Sequence, residues 1–598
     1  MRLLVLHDSR PEAARVQHAV ADNYRHGARL LAAGGVPAFF SKSSPLADPD
    51  TLGHPPGYPV LLAVVSRLSV TSEVGDVKSS EDAARLVQLA ADAFAAALLF
   101  LLVAELLPFA AGVVAGALVA LAPQFTWNSV LPLPDTLAAV LVLLAVYLLA
   151  RAARRPRLMT VVLAGASIGL SCWLRANALL LAPLLAVAVF LLFERERRKR
   201  YALALVAGAV LVVAPLTIRN ALVFGRFIPL SLGAGQTLLE GIADYDDEGR
   251  FGIPRTDLGI MRQEAEGAGR PDYAATLFGP DAVARERARL RRGLSVITSH
   301  PLWFGGVMAR RAVSMLRLER ARLVSPRPPV THALEDVDRA AVVWSRSPAE
   351  LLRDGDRVTT GAEVLPADDG AALRVVGDGS KFGRQFAAAP VAVEAGTDYA
   401  FSVPVRVESG RMSVEVSRVG EDAAHVSAIV ETEEGKSAAE QPARVVPLPF
   451  ANAGAGRVRL LLANAPSEPP RPVAEIVGEV RLHRLGPASL LWTRYPRVVV
   501  NGLQRLFVTA VMLPLALAGL ALAARERRRT ALVILLAVPV YYMCVQSALH
   551  TEYRYVLAIH YFLFALAAFA LYRAGLLATE AVRGLRRARR LMKAEGEV

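Results

Sequence analysis

Cysteine is almost missing from this chain. Cys172 and Cys544 are the only two in 598 residues, and both lie inside apolar segments, which excludes a disulfide framework. No His or Cys cluster has metal-ligand spacing, so a bound catalytic metal is not indicated, and no other cofactor is expected. Internal repeats are also lacking. About six apolar spans precede a long polar insert and about three follow it, unlike the matched halves of many transporters. No leading span is present either, because Leu3-Leu4-Val5-Leu6 is too short for a signal peptide or a membrane helix.

Apolar and basic residues are what the chain has in excess. It is 54% hydrophobic, with a mean hydropathy of +0.37, more than an ordinary soluble protein of this size carries; a polytopic membrane protein is expected. The net charge of +14 is not read as a nucleic-acid footprint. Its clusters at Arg151–Arg157, Glu194–Arg200, Arg525–Arg529 and Arg583–Lys593 flank apolar segments, where retained basic residues set orientation. The richness in Ala and Arg fits a GC-rich bacterial genome, and hence a bacterial inner membrane.

Segments near the ~20 residues needed to span occur at 84–105, 107–124, 134–150, 158–175, 178–193, 201–222, 500–523, 530–549 and 555–577. Placing the four Arg clusters in the cytoplasm puts residues 1–83, the turn at Arg175, the stretch from Arg219 to Asn501 and the turn at His550 to Arg554 on the outside. Five regions follow: a first outer loop (1–83), an N-terminal bundle (84–222), an outer helical and irregular region (223–349), a β-sandwich (350–487), and C-terminal spans with a basic tail (488–598). Residues 1–35 would need a preceding span to reach the outside. We expect upstream codons for about 20 apolar residues; the alternative is that the first segment present inserts by itself as a reverse anchor.

Within the outer stretch, 281–318 has helical periodicity with a basic face, suited to lying on a membrane surface or to packing on the bundle. Beyond 350 the period becomes two: Tyr399, Phe401, Val403, Val405 and Val407 alternate with polar or small residues, as do Met412, Val414 and Val416, and Val458, Leu460 and Leu462. Turn signals such as Asp378-Gly379 and Ser409-Gly410 separate these runs, the pattern of an antiparallel sandwich. Its wording resembles jelly-roll carbohydrate-binding modules. The aromatics that could form a sugar platform are Phe382, Phe386, Tyr399, Phe401 and Phe450, several of which the core must claim; a spacer or packing role stays open.

The same parity gathers polar groups at one leaflet boundary. Asp22 and Tyr24 precede the bundle, and His54 and Tyr58 belong to His54-Pro55-Pro56-Gly57-Tyr58-Pro59. Asp135 begins the third span, Arg175 lies at the fourth turn, and Arg219 and Asn220 end the sixth span. Glu552, Arg554 and Tyr555 open the last. Ionisable groups at membrane depth are costly and tend to be functional. Arginine's fork suits phosphate, and a carboxylate can take a proton from an acceptor. Bland alternatives stay open: arginines that snorkel to headgroups, Asp135 as a helix cap, Asp22 on a solvated face, His54 as a turn cap. Asp92, inside the first span, faces a polar cavity or pairs with a neighbouring helix.

The order Asp22…Tyr24…Ala28, His54-Pro55-Pro56-Gly57-Tyr58-Pro59, Leu133-Pro134-Asp135, Leu174-Arg175, Pro215 to Asn220 with Phe224-Gly225, and Arg554-Tyr555 resembles GT-C glycosyltransferases. The similarity, over roughly 20–240 and 495–577, is to the branch of protein O-mannosyltransferases and lipid A aminoarabinose transferases. The resemblance implies a helical membrane bundle with an outer active site that uses a polyprenyl-phosphate sugar and inverts the anomeric centre, as a hexosyl- or pentosyltransferase. It maps the catalytic acid onto Asp22 and a second acidic position onto Asp135. Asn23 stands where the mannosyltransferases carry Glu, a departure that counts against mannose as the sugar. The implied partners are a polyprenyl-phosphate-linked sugar donor, an extracytoplasmic acceptor and membrane lipid, with no nucleic acid.

Overall fold

The computed structural model describes residues 2–13, 17–68, 77–332, 337, 339–380, 382–421, 424–432, 441–466 and 471–595. They form two compact units: 1–324 with 502–598, and 325–501.

The first unit is helical. Its N-terminal part holds α1 (Arg2–Ala13), α2 (His18–Phe40), α3 (Gly57–Leu68), α4 (Val77–Leu106), α5 (Phe109–Leu121) and α6 (Pro123–Val130). Then come α7 (Asp135–Arg154), α8 (Leu158–Leu174), α9 (Leu181–Leu192) and α10 (Arg195–Phe224). Helices α11 (Ala234–Ala243), α12 (Asp257–Ala268), α13 (Ala282–Ser299) and α14 (Pro301–Ser314) follow, and α15 (Pro348–Asp354) belongs to the second unit. The chain closes with α16 (Arg494–Gln504), α17 (Thr509–Arg525), α18 (Arg529–Val545) and α19 (Leu557–Glu595).

All nine apolar segments read from the sequence are helical. Among the described residues five helices are long and apolar enough to cross a membrane, or up to seven if two bent pairs each count as one. The bends lie between α5 and α6 (48°) and between α16 and α17 (63°); Pro123 opens α6, where its ring can neither donate nor tolerate the preceding turn. Helix α8 has 17 residues, about 25 Å at 1.5 Å per residue, the short end of what spans. The chain is thus a multi-pass membrane protein.

Small residues let helices α8 and α10 pack backbone to backbone. A Cβ on Gly165 of α8 would lie 1.9 Å from the Leu205 carbonyl oxygen of α10, and one on Gly208 of α10 would lie 2.3 Å from that of Val162. Glycine at these positions lets the two backbones touch, the packing device of apolar bundles. At the centre runs α19, with Phe562, Phe564 and Phe569 fully buried and Tyr561 stacked on Phe125 at 4.2 Å. Asp92, buried within α4, is paired: Arg2 Nε of α1 lies 2.6 Å from its carboxylate. The stretch expected as a first outer loop is largely helical, as α1, α2 and α3.

The second unit is two antiparallel sheets. Its strands are β1 (Ala341–Arg346), β2 (Asp356–Arg357), β3 (Glu363–Ala367), β4 (Ala372–Val376), β5 (Gly383–Ala387), β6 (Val391–Val393) and β7 (Thr397–Ser409). Next come β8 (Arg411–Arg418), β9 (Val426–Glu431), β10 (Arg444–Asn452), β11 (Gly456–Asn464), β12 (Val473–Ile476) and β13 (Val480–Pro487). One sheet runs β1-β13-β7-β12-β4-β3 with β10 also on β7; the other runs β2-β5-β11-β8-β9 with β6 also on β11. The residues that alternate in sequence, from Tyr399 to Val407, Met412 to Val416 and Val458 to Leu462, share one apolar core. Phe386, Tyr399, Phe401 and Phe450 are spent in that core, while Phe382 is 67% exposed. One exposed aromatic is a sparse sugar platform. The first strand, at Ala341, precedes the expected edge at 350.

Candidate functional site

Three charged residues from distant parts of the chain meet at one end of the bundle. Asp135 is the first residue of α7, directly after Pro134. Arg175 follows the last turn of α8 in extended conformation, and Arg554 sits in a single 3-10 turn ahead of α19. Each is a point where a helix ends and its backbone frees a side chain to turn inward. Arg175 Nη2 donates to Asp135 Oδ2 at 2.8 Å, and Arg554 Nη1 lies 3.6 Å from the same oxygen. Glu552 holds Arg554 from the other side, accepting from Nε at 2.6 Å and from Nη2 at 3.1 Å. The Tyr555 ring lies between the two guanidiniums, 4.6 Å from Arg175 Cζ and 5.0 Å from Arg554 Cζ. Its carbonyl accepts from Asn177 Nδ2 at 2.9 Å.

Asp135, Arg175, Asn177, Arg554 and Tyr555 line a small pocket with Tyr542. Asp135, Arg175 and Arg554 are all buried. Asp135 Oδ1, Arg175 Nε and Arg554 Nη1 have no hydrogen-bond partner among the described residues. Asp135 and Glu552 offset the two guanidiniums in formal charge, so what the pocket offers an anion is unused donors rather than net charge. Buried donors without acceptors cost free energy, and an anion entering the pocket would recover it.

The His54–Pro59 motif lies beside this cluster. Gly57 opens α3; a Cβ there would sit 2.4 Å from the Trp173 carbonyl oxygen, so glycine lets α3 abut the last turn of α8, two residues before Arg175. Tyr58 is buried and donates to Gln88 Oε1 at 2.7 Å, while Gln88 Nε2 donates to the Leu131 carbonyl at 2.8 Å. This ties the motif to the turn that precedes Asp135. The Tyr24 ring of α2 packs on His54 (5.4 Å between centroids) and on Tyr58 (5.3 Å). Burial, reinforced by Arg175 and Arg554, pushes the His54 imidazole down to about 4. Burial pushes the Tyr24 phenol up to about 12, against an opposing pull from Arg175. Tyr24 Oη is a further buried atom without a partner among the described residues.

The other expected site residues lie apart from this cluster. Asp22 is two positions from Tyr24 on α2, about 200° around the helix, and so leaves it on a different side. Its carboxylate is 45% exposed and 2.5 Å from Arg25 Nη1, and Arg25 also binds Glu81 at 2.7 Å. Arg219 Nε donates to the Phe39 carbonyl at 3.0 Å, Nη1 to Asn220 Oδ1 at 3.0 Å and Nη2 to the Leu46 carbonyl at 2.5 Å. Asn220 Nδ2 donates to the carbonyls of Ile228 and Leu230. The structure therefore engages both as a clasp on the chain ends that follow α2 and α10. Sequence reasoning passed over Gln88 and Asn177. A glutamine inside an apolar span was a readable sign for the first; Asn177 shares its short turn with Arg175.

Residues 53–218 match the family model described as dolichyl-phosphate-mannose-protein mannosyltransferase. Over these residues the GT-C glycosyltransferase resemblance is borne out. The matched stretch contains His54, Tyr58, Asp135 and Arg175 and stops one residue short of Arg219. No curated protein matches the chain. Among solved structures, the apo oligosaccharyltransferase of Archaeoglobus fulgidus has 18% identity and a TM-score of 0.27, over 43% of this chain and 34% of that one. Arabinosyltransferase EmbB of Mycobacterium smegmatis has 12% identity and a TM-score of 0.21, over 79% and 64%. The chain spans about a third of the length of the archaeal protein.

Proposed function

We propose that this protein is an inverting glycosyltransferase that moves a sugar from a polyprenyl-phosphate carrier to an acceptor on the extracytoplasmic side of a bacterial inner membrane. One observation carries the reading: two buried arginines, each with a nitrogen that lacks an acceptor among the described residues, line one pocket at the end of a membrane bundle. Arginine's planar fork fits a phosphate, and a lipid-linked phosphate reaches such a depth on its own tail. In transfer the bond from the anomeric carbon to the phosphate oxygen breaks, and the acceptor oxygen bonds that carbon from the opposite face. Charge grows on the departing phosphate, where fixed cations stabilise it most. Asp135 keeps both arginines in register before the donor arrives.

The acceptor's proton needs a carboxylate. Asp135 is engaged by Arg175 at 2.8 Å and lies 3.6 Å from Arg554, where it holds the arginines. Asp22 is half-exposed, and the arginine beside it is shared with Glu81. We assign the proton to Asp22, the position onto which the GT-C resemblance maps the catalytic acid; in this structure its carboxylate is held by Arg25. The test uses a radiolabelled polyprenyl-phosphate sugar pool in reconstituted membranes, with donor binding and transfer measured separately. Arg175→Ala should lose donor binding along with transfer. Unaltered donor affinity in both Arg175→Ala and Arg554→Ala would remove the phosphate reading.

A further inference from the structure

The segment around α16 is amphipathic the wrong way round for water. Trp492 is 71% exposed and Tyr495 78%, and Val498, Val499, Leu503 and Leu506 are exposed with them. Spaced at three and four residues, these side chains form one stripe. The opposite face carries the polar groups and is buried. Arg497 has no exposed surface and donates from Nε to Thr493 Oγ1 at 2.8 Å. Gln504 accepts from the Val324 amide at 2.8 Å and donates to the Leu121 carbonyl at 3.1 Å. A helix facing water buries its apolar stripe; this one buries arginine and glutamine and presents tryptophan, tyrosine, valine and leucine.

We propose that the 492–506 stripe is seated in lipid, at the boundary of acyl chains and headgroups of the leaflet that α17 enters. Two features commit the face to lipid rather than to a protein. The stripe is continuous in sequence with a membrane-spanning surface: α17 begins at Thr509, three residues after Leu506, and itself exposes Val511 and Leu517. The chain bends by 63° between the two helices, the turn needed to pass from a helix lying along an interface to one that crosses. The residue types agree with that depth. Tryptophan and tyrosine favour the headgroup level, and exposed Arg494 and Arg505 bracket the stripe where phosphate headgroups lie. Lipid contact here would hold the start of α17 at a fixed depth.

The full-length protein, with Cys172→Ser and Cys544→Ser, should be reconstituted in vesicles of phosphatidylethanolamine and phosphatidylglycerol. Single spin labels are then introduced through Tyr495→Cys, Val499→Cys and Leu503→Cys, with Arg494→Cys and Arg505→Cys as flanking controls. Collisions with oxygen, which partitions into lipid, should exceed collisions with a water-soluble nickel chelate at 495, 499 and 503, and the order should reverse at 494 and 505. Nickel dominance at all five positions would show a water-facing stripe and overturn the proposal. Low accessibility to both reagents at 495, 499 and 503, with cross-linked dimers from the same cysteines, would overturn it in favour of a second copy of the chain. Because the readout is depth and not turnover, it stands or falls independently of the catalytic reading.

Discussion

Asp135, Arg175 and Arg554 illustrate how little a residue's identity says before its neighbours are known. Arg175, Arg219 and Arg554 look alike in sequence, each at the end of an apolar segment. In the structure Arg219 spends its donors on two backbone carbonyls and the Asn220 amide oxygen, while Arg175 and Arg554 keep nitrogens without acceptors among the described residues. Their substitutions should therefore differ in kind. Arg554→Ala should weaken donor binding and slow transfer, because the phosphate is present in ground and transition states alike. Arg219→Ala should leave the carbonyls of Phe39 and Leu46 unsatisfied, costing roughly 1–3 kcal/mol each, seen as a lowered melting temperature in detergent. Asp22→Asn should leave donor affinity intact and cut transfer by roughly 10²–10⁴-fold, the range for a lost acid–base group. Near-normal transfer by that variant would move the proton to Asp135. His54 adds a pH dependence. Its folded value is about 4 against 6.5 unfolded, so its contribution to stability is complete above pH 6.5 and is lost as pH falls toward about 4, up to about 3 kcal/mol. His550, raised by its bond to Asp244, acts in the opposite sense: its contribution is complete below 6.5 and is lost as pH rises through its folded value. Melting temperatures measured at about pH 7 and about pH 5 should fall with acid in the parent protein and fall less in His54→Gln.

Among the elements, α8 and α10 carry a prediction that no charged residue would suggest. Gly165, Gly169 and Gly208 permit backbone contact; a Cβ on Gly169 would lie 2.6 Å from the Ala209 carbonyl oxygen. Helix backbones cannot yield as a flexible side chain does, so Gly208→Val should force the pair apart. The expected loss is about 1–3 kcal/mol, the usual cost of overpacking, with weaker donor binding as well, since Arg175 hangs from the end of α8. Gly267→Val on α12, where a Cβ meets nothing within 4 Å, is the control and should retain donor binding. The spacing of Gly165 and Gly169 was visible in the sequence. Which helix they face was not, because a small-residue stripe fits any partner with an equally smooth back.

For the molecule as a whole, the division into two units predicts separability. Residues 325–501 own a closed apolar core drawn from both sheets, within the ordinary size range of a domain. Expressed alone and ended at Pro487, the end of β13 and short of the lipid-facing stripe, that unit should be soluble, β-rich by circular dichroism and cooperative in urea. A non-cooperative transition would show that its core is completed elsewhere in the chain.

The membrane class, the nine apolar segments, the period-two run beyond 350 and the GT-C resemblance were all legible without coordinates. Each is a local pattern, set by the length of a span or by the alternation of a strand. The gathering of Asp135, Arg175, Glu552 and Arg554 was foreseen only as a shared side of the membrane. The tertiary structure decided which of them touch. It placed Asp22 with Arg25 and Glu81, turned Arg219 and Asn220 into a clasp, and buried four of the five sandwich aromatics in a core. It also inverted the faces of α16. Pairing depends on how helices rotate about their axes, and rotation is settled by contacts between segments hundreds of residues apart. The linear pattern carries depth and period; it does not carry azimuth.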